Sequence, residues 1–162
     1  MAWNAPVTQS VGTLITPAIW NSQIVENLLY LKSPPITLMG SLQTLTTSSS
    51  SYVNVFETQN IETAAGGRVL LMGLGYANHN ESGVVELHLN LTVDGVDDVA
   101  GSDGYVRQYL QGTGREPFVM LYMSDTLSPA MHTFRLRAKV IPIAGTTGTV
   151  TITTRRFWLM EV

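Results

Sequence analysis

The sequence predicts an all-β protein: a jelly-roll-like antiparallel β-sandwich preceded by an extended N-terminal arm and one α-helix. Period-two alternation of apolar and polar residues recurs from Ile36 onward, broken by Gly, Ser, Asn and Asp. Only the segment from Pro17 to Lys32 places apolar residues at helical spacing. About eight or more short strands without crossover helices argue for a sandwich or jelly roll, with an immunoglobulin-like sandwich as competitor.

The elements follow in chain order. Lys32-Ser33-Pro34-Pro35 divides the chain, because Pro-Pro stops a helix and favours extended neighbours. Residues 1–33 then form the arm and amphipathic helix, for attachment or oligomerisation, and 34–162 the sandwich. Thr16 before Pro17 reads as an N-cap with proline at the first helical position. Trp20, Ile24, Leu28 and Leu31 share one helix face, broadened by Ile19, Val25 and Leu29. Such a face must be buried on the chain's own β domain or against other copies. Asn27 falls between Ile24 and Leu31 and reads either as a polar register residue in an inter-helix seam or as a solvated edge residue. The arm from Ala2 to Thr16, with Trp3, Leu14 and Ile15, has no evident partner within the chain and is expected to gain order on another surface.

In the β region, Val84–Val93 is the clearest strand, with Val85, Leu87, Leu89, Leu91 and Val93 inward and Glu86, His88, Asn90 and Thr92 outward. Asp94-Gly95 follows as a tight turn, with Val96 beginning the return. Arg68–Ala77 and Pro117–Ser124 are more continuously apolar and are expected to be central strands. Met131–Ile143 and Thr149–Val162 read as a closing hairpin across Ala144–Gly148, with Phe134, Leu136, Ala138 and Val140 inward. The ending Phe157-Trp-Leu-Met160 is apolar on both faces, as in a strand covered on both sides. Ser48–Ser51 reads as a loop or solvated edge.

Composition restricts function. With 44% hydrophobic and 13% charged residues, the chain is not disordered as a whole, and its sparse charge suits an assembly subunit or a rigid β domain. A net charge of −3 lacks the electrostatic footprint of a nucleic-acid binder, so no nucleic-acid partner is expected. The absence of cysteine excludes disulfides, thiol catalysis and cysteine-based zinc sites. Neither a basic opening nor a long apolar stretch marks the N-terminus, so synthesis in the cytoplasm is expected. Val69–Ala77 is too short to span a bilayer, and no membrane insertion is expected.

No catalytic residue, cofactor site or metal site emerges. His79, His88 and His132 lack metal-ligand spacing and read as ordinary strand and turn residues. Asp94, Asp97, Asp98 and Asp103 form an acidic group without the spacing of a calcium loop, more economically a solvated hairpin tip. Gly73-Leu-Gly75 and Gly112-Thr-Gly114 precede no helix, so they cradle no phosphate. No Gly-x-Ser-x-Gly motif or Ser-His-acid set supports a hydrolase. Arg135, Arg137, Lys139, Arg155 and Arg156 fall on the last two strands and would share an outward face if those strands pair, as a charged edge or an inter-subunit contact. Tyr105, Arg107 and Tyr109 could make a glycan contact, with Tyr52 and Tyr122 as further exposed-aromatic candidates.

Two stretches carry a resemblance. Gly12–Leu31, through Thr16, Asn21, Asn27, Leu28 and Leu31, resembles an N-terminal opening of tailed-bacteriophage virion proteins. Ala130-Met-His-Thr-Phe-Arg-Leu-Arg137 with Phe157-Trp-Leu-Met-Glu-Val162 is similar to the closing strands of jelly-roll domains of the tumour-necrosis-factor kind in phage structural proteins, with Ala130-Met131 where glycine is commoner. The resemblance implies a virion component, commonly trimeric and attached through its arm.

The functional expectation is a non-enzymatic virion structural protein, made in the host cytoplasm. It would be a homotrimer exposed on the particle as a tail-fibre, baseplate-associated or capsid-decoration component. Trp3, Leu14, Ile15, Trp20, Ile24, Asn27, Leu28 and Leu31 are its expected oligomer or attachment interface, with itself and other virion proteins as partners. The alternative is a carbohydrate-binding module that recognises a host surface glycan through Tyr105, Arg107 and Tyr109.

Overall fold

A computed structural model describes residues 7–8, 10, 12–32, 36–38, 42–55, 59–63, 67–96, 104–143, 145–146 and 148–162. The chain enters through α1 (Pro17–Trp20), a π-helical turn (Asn21–Val25) and α2 (Glu26–Lys32). Thr16 caps this helical segment as expected: its extended backbone leaves Oγ1 to accept from Ile19 N at 3.3 Å, and Pro17 follows, where no backbone donor is needed.

Ten strands follow among the described residues: β1 (Ile36–Leu38), β2 (Gln43–Thr47), β3 (Val53–Asn54), β4 (Gln59–Glu62), β5 (Val69–His79), β6 (Val84–Val93), β7 (Val106–Gln111), β8 (Glu116–Met123), β9 (Met131–Pro142) and β10 (Val150–Glu161). They form two antiparallel sheets. In sheet A, β1 and β2 lie end to end along β10, which pairs with β5, which pairs with β8. In sheet B, β3 and β4 lie end to end along β9, which pairs with β6, which pairs with β7. Counting each end-to-end pair as one broken strand, every connection crosses from one sheet to the other except β6 to β7. That is the jelly-roll order, and it sets the immunoglobulin-like alternative aside.

The core fills the space between the sheets. Leu71, Met120, Ile152, Phe157 and Leu159 from sheet A meet Leu87, Leu89, Leu91, Leu110, Phe134 and Leu136 from sheet B, all essentially without solvent contact. Each set follows the period-two pattern of its strand, so the alternation in the sequence specifies which side faces inward.

Sheet A contains one irregularity that matters for its surface. Between Thr154, opposite Gly75, and Arg156, opposite Leu74, β10 carries an extra residue, Arg155. The bulge turns two consecutive arginines outward, both exposed. Gly75 makes it possible: a Cβ there would collide with the Thr153 carbonyl oxygen and come within 2.8 Å of Phe118 Cζ. Gly73 similarly lets the Phe157 ring lie close, with Cδ2 3.2 Å from where a Cβ would stand. Thus the two glycines of Gly73-Leu-Gly75 serve close backbone approach.

Four expectations change. Strands β9 and β10 lie in different sheets, so the closing pair is a crossover and not a hairpin. Among the described residues, strand β8 is an edge strand and not a central one, because β5 pairs it on one side only. Strand β6 is buried on both faces: Glu86, His88, Asn90 and Thr92 are covered as well as its leucines. The Phe157–Met160 ending is apolar on both sides, yet Trp158 and Met160 on its outer face are only half-buried. The Asp94-Gly95 turn forms with positive φ at both residues (54° and 75°), and Val96 bridges Val93; among the described residues the next strand of the sheet is Val106–Gln111.

Candidate functional site

The outer face of sheet A is the principal surface feature. Cross-strand register aligns its outward side chains in rows. Ile36, Met160, Leu70 and Met123 form one row across β1, β10, β5 and β8, and Leu38, Trp158, Met72 and Leu121 form the next. A third continues from Arg156 to Leu74 and Val119. Leu38 is 64% exposed, Leu121 52% and Val119 66%. Four strands thus present a contiguous apolar band, and such a band marks a contact surface.

The band ends in a cationic cluster. Arg115 lies over the Tyr76 ring with its guanidinium carbon 4.9 Å from the centroid, and Arg155 lies at 5.6 Å from the same ring. Arg156 Nη1 donates to the Arg155 carbonyl at 3.3 Å. Leu42, Leu74, Arg155 and Arg156 line an open pocket. A hydrogen bond with Thr153 lowers the Tyr76 pKa, burial opposes it, and the nearby charges of Arg115 and Arg155 lower it further.

The outer face of sheet B is polar. Arg107 Nε donates to Glu86 Oε1 at 2.6 Å, and Glu86 also lies 3.4 Å from His88 Nε2. Burial alone would raise the Glu86 pKa; the hydrogen bond from Arg107, then His88, outweighs it and the pKa is lowered. Lys139, His88 and Arg107 face one another across β9, β6 and β7, and Arg137 and Lys139 both lie over the Tyr52 ring, at 5.7 and 4.7 Å. Because β9 and β10 belong to different sheets, Arg135, Arg137 and Lys139 do not share a face with Arg155 and Arg156.

The anticipated interface residues lie apart from these surfaces in sequence. Leu14 and Ile15 are exposed in the arm, and Trp20, Ile24, Leu28 and Leu31 are exposed along the helical segment. Asn27 is buried and its Nδ2 donates to the Gln23 carbonyl at 3.2 Å, so its amide turns back onto its own helix. Val7 N donates to Gln23 Oε1 at 3.0 Å, tying the arm to the helix. Trp3 lies outside the described residues.

The anticipated glycan contacts separate. Tyr105 donates its hydroxyl to the Leu121 carbonyl at 2.7 Å and packs edge-on against Tyr122, so it belongs to the β8 edge. Arg107 and Tyr109 stay together: Tyr109, 64% exposed, stands directly opposite Glu86. Asp94 is bound to His132, while Asp97, Asp98 and Asp103 lie outside the described residues. Among the described residues, no three His, Asp or Glu side chains converge on a metal position, and no helix is long and apolar enough to cross a membrane.

Sequence reasoning missed the apolar band, although its signal was present. Arg68–Ala77 reads as continuously apolar, and Pro117–Ser124 and Phe157–Met160 as apolar on both faces, which the sequence alone presents as strands covered on both sides. On an outer sheet face the same pattern describes a surface open to contact.

Neither a known protein family nor a curated protein sequence matches this chain.

Proposed function

We propose that this chain is a non-enzymatic structural subunit of a bacteriophage virion, a homotrimer packed through the outer face of sheet A and attached to other virion proteins through its arm and helix. The observation that carries the association is the apolar band running from Ile36 and Leu38 to Leu121 and Met123. Removing such a surface from water is favourable by about 25 cal/mol per Å². Another copy of this chain is the economical partner: in a closed three-fold ring each copy sets this face against a different patch of its neighbour, a heterologous contact that needs no separate gene product. The phage assignment is supported by the resemblance of Gly12–Leu31 and of the closing strands, and the jelly-roll order is in keeping with the tumour-necrosis-factor-like part of it. Within the virion, the reading covers a tail-fibre, baseplate-associated or capsid-decoration position.

Light scattering on the purified chain tests the association. A trimer mass is expected, falling to the monomer in Leu121→Glu with an unchanged β-type circular dichroism spectrum. A monomeric wild type, or a Leu121→Glu trimer, would overturn it. Attachment is tested separately: Trp20→Glu with Leu28→Glu should leave the trimer intact and abolish its incorporation into particles.

A second reading, a glycan-binding module, is favoured by one observation. The exposed ring of Tyr109 beside the Glu86–Arg107 pair offers a sugar both an apolar platform and planar polar partners. A glycan array with Tyr109→Ala as control decides it: sugar-specific binding lost in the variant supports this reading, and silence removes it.

A further inference from the structure

We propose that Arg115 and Arg155, stacked on Tyr76, together with the adjacent Arg156 at the end of the apolar band, form a binding site for an oxyanion of the phosphate class. This goes beyond the association reading, which needs only the apolar rows.

Three features of the cluster carry it. The β-bulge in β10 turns two consecutive arginines to the same side, and Arg115, just before β8, lies over the same Tyr76 ring as Arg155. Among the described residues, none of the three guanidinium groups forms an ion pair: Arg115 and Arg155 lie over the Tyr76 ring, Arg155 also hydrogen-bonds that tyrosine's side chain, and Arg156 donates to the Arg155 carbonyl. By contrast, Arg107 on sheet B is paired with Glu86. Finally, Arg155 and Arg156 line a pocket with Leu42 and Leu74, so an entering group would meet both guanidinium and apolar side chains.

Like charges held together repel, and stacking on one tyrosine orders two of them without neutralising either. An anion with several oxygens resolves this, because each guanidinium presents a planar fork of donors that fits two oxygens of a phosphate. The group can arrive as free inorganic phosphate or as a phosphate carried on a larger polymer.

Isothermal titration of the full chain with inorganic phosphate and with short-chain polyphosphate, at constant ionic strength against chloride, tests the site. Saturable binding is expected, weakened about tenfold or more in Arg155→Gln with Arg156→Gln and unchanged in Arg135→Gln on the opposite sheet. Binding of both probes assigns free phosphate; binding of polyphosphate alone assigns a polymer-borne group. The proposal is overturned if neither probe binds, or if the double glutamine variant binds as tightly as wild type. Should that variant fail to fold, Arg155→Lys with Arg156→Lys retains the charge without the planar fork. It should bind several-fold more weakly, and undiminished affinity would overturn the assignment.

Discussion

His132 Nδ1 lies 2.6 Å from Asp94 Oδ2, joining the first residue of the turn after β6 to the start of β9. The other ring nitrogen lies 2.8 Å from the Ser128 carbonyl, which can only accept, and Asp94 Oδ1 accepts from Thr133 N at 2.7 Å. Both imidazole nitrogens therefore face acceptors, an arrangement that suits the doubly protonated ring. Burial opposes the charge on each partner. For His132, the Ser128 hydrogen bond and then Asp94 outweigh burial and raise the pKa; for Asp94, the Thr133 N–H and then His132 outweigh it and lower the pKa.

The sign of the pH dependence follows. His132, raised on folding, contributes stability that is fully present below its unfolded pKa and is lost as pH rises through its folded pKa. Asp94, lowered on folding, contributes stability above its unfolded pKa that is lost as pH falls through its folded pKa. Thermal unfolding of wild type against Asp94→Asn should differ by about 1–2 kcal/mol near pH 6, discounted because Asp94 is partly solvated. The gap should narrow toward pH 9. A gap independent of pH would show that the pair is not ionic.

Arg107→Ala and Glu86→Gln should differ although they break the same contact. Removing Arg107 leaves a buried carboxylate without its main donor, whereas removing the charge of Glu86 leaves a guanidinium whose side chain is 50% exposed and readily hydrated. Urea denaturation at neutral pH should find Arg107→Ala the more destabilised, by about 1–2 kcal/mol. Because the Glu86 pKa is lowered on folding, the wild-type advantage is present above its unfolded value and is lost as pH falls through the folded one.

Gly75→Ala should be far more damaging than Gly95→Ala. At Gly75 the new methyl meets the Thr153 carbonyl and the Phe118 ring, neither of which can move without opening the bulge or the core, and a loss of about 3 kcal/mol is expected. Gly95 has φ of 75° but open space around it, so only backbone strain of about 1 kcal/mol is added. Equal midpoints in chemical denaturation would mean that the bulge does not need its glycine.

Thr16→Ala removes the side-chain acceptor of Ile19 N and should weaken the helical segment by about 1 kcal/mol. Since the large apolar side chains of that segment remain exposed, the sandwich should keep its unfolding midpoint while helical circular dichroism decreases. A parallel fall in the midpoint would show that the helix is part of the sandwich's cooperative unit.

The strands themselves were legible. Val84–Val93 has the bounds its alternation predicts, and Leu87, Leu89 and Leu91 occupy the inner face for the same reason. Thr16-Pro17 likewise marks where the helix begins. The surfaces were less accessible. The basic residues of β9 and β10 fall on different sheets, Tyr105 parts from Arg107 and Tyr109, and the half-buried Glu86–Arg107 pair joins residues on two strands whose register no local pattern specifies.

By itself, the sequence determined the all-β character, the arm and helix, and the side of each strand that meets the core, because side chains alternate along a strand with a period of two and Thr, Pro and Gly impose local backbone preferences. The tertiary structure alone decided which strands became neighbours. Jelly-roll crossovers send β9 and β10 to opposite sheets, and cross-strand register assembles Leu38, Trp158, Met72 and Leu121 into one row. The apolar band and the arginine cluster exist only through that pairing, since their members meet across sheet hydrogen bonds between segments far apart in the chain.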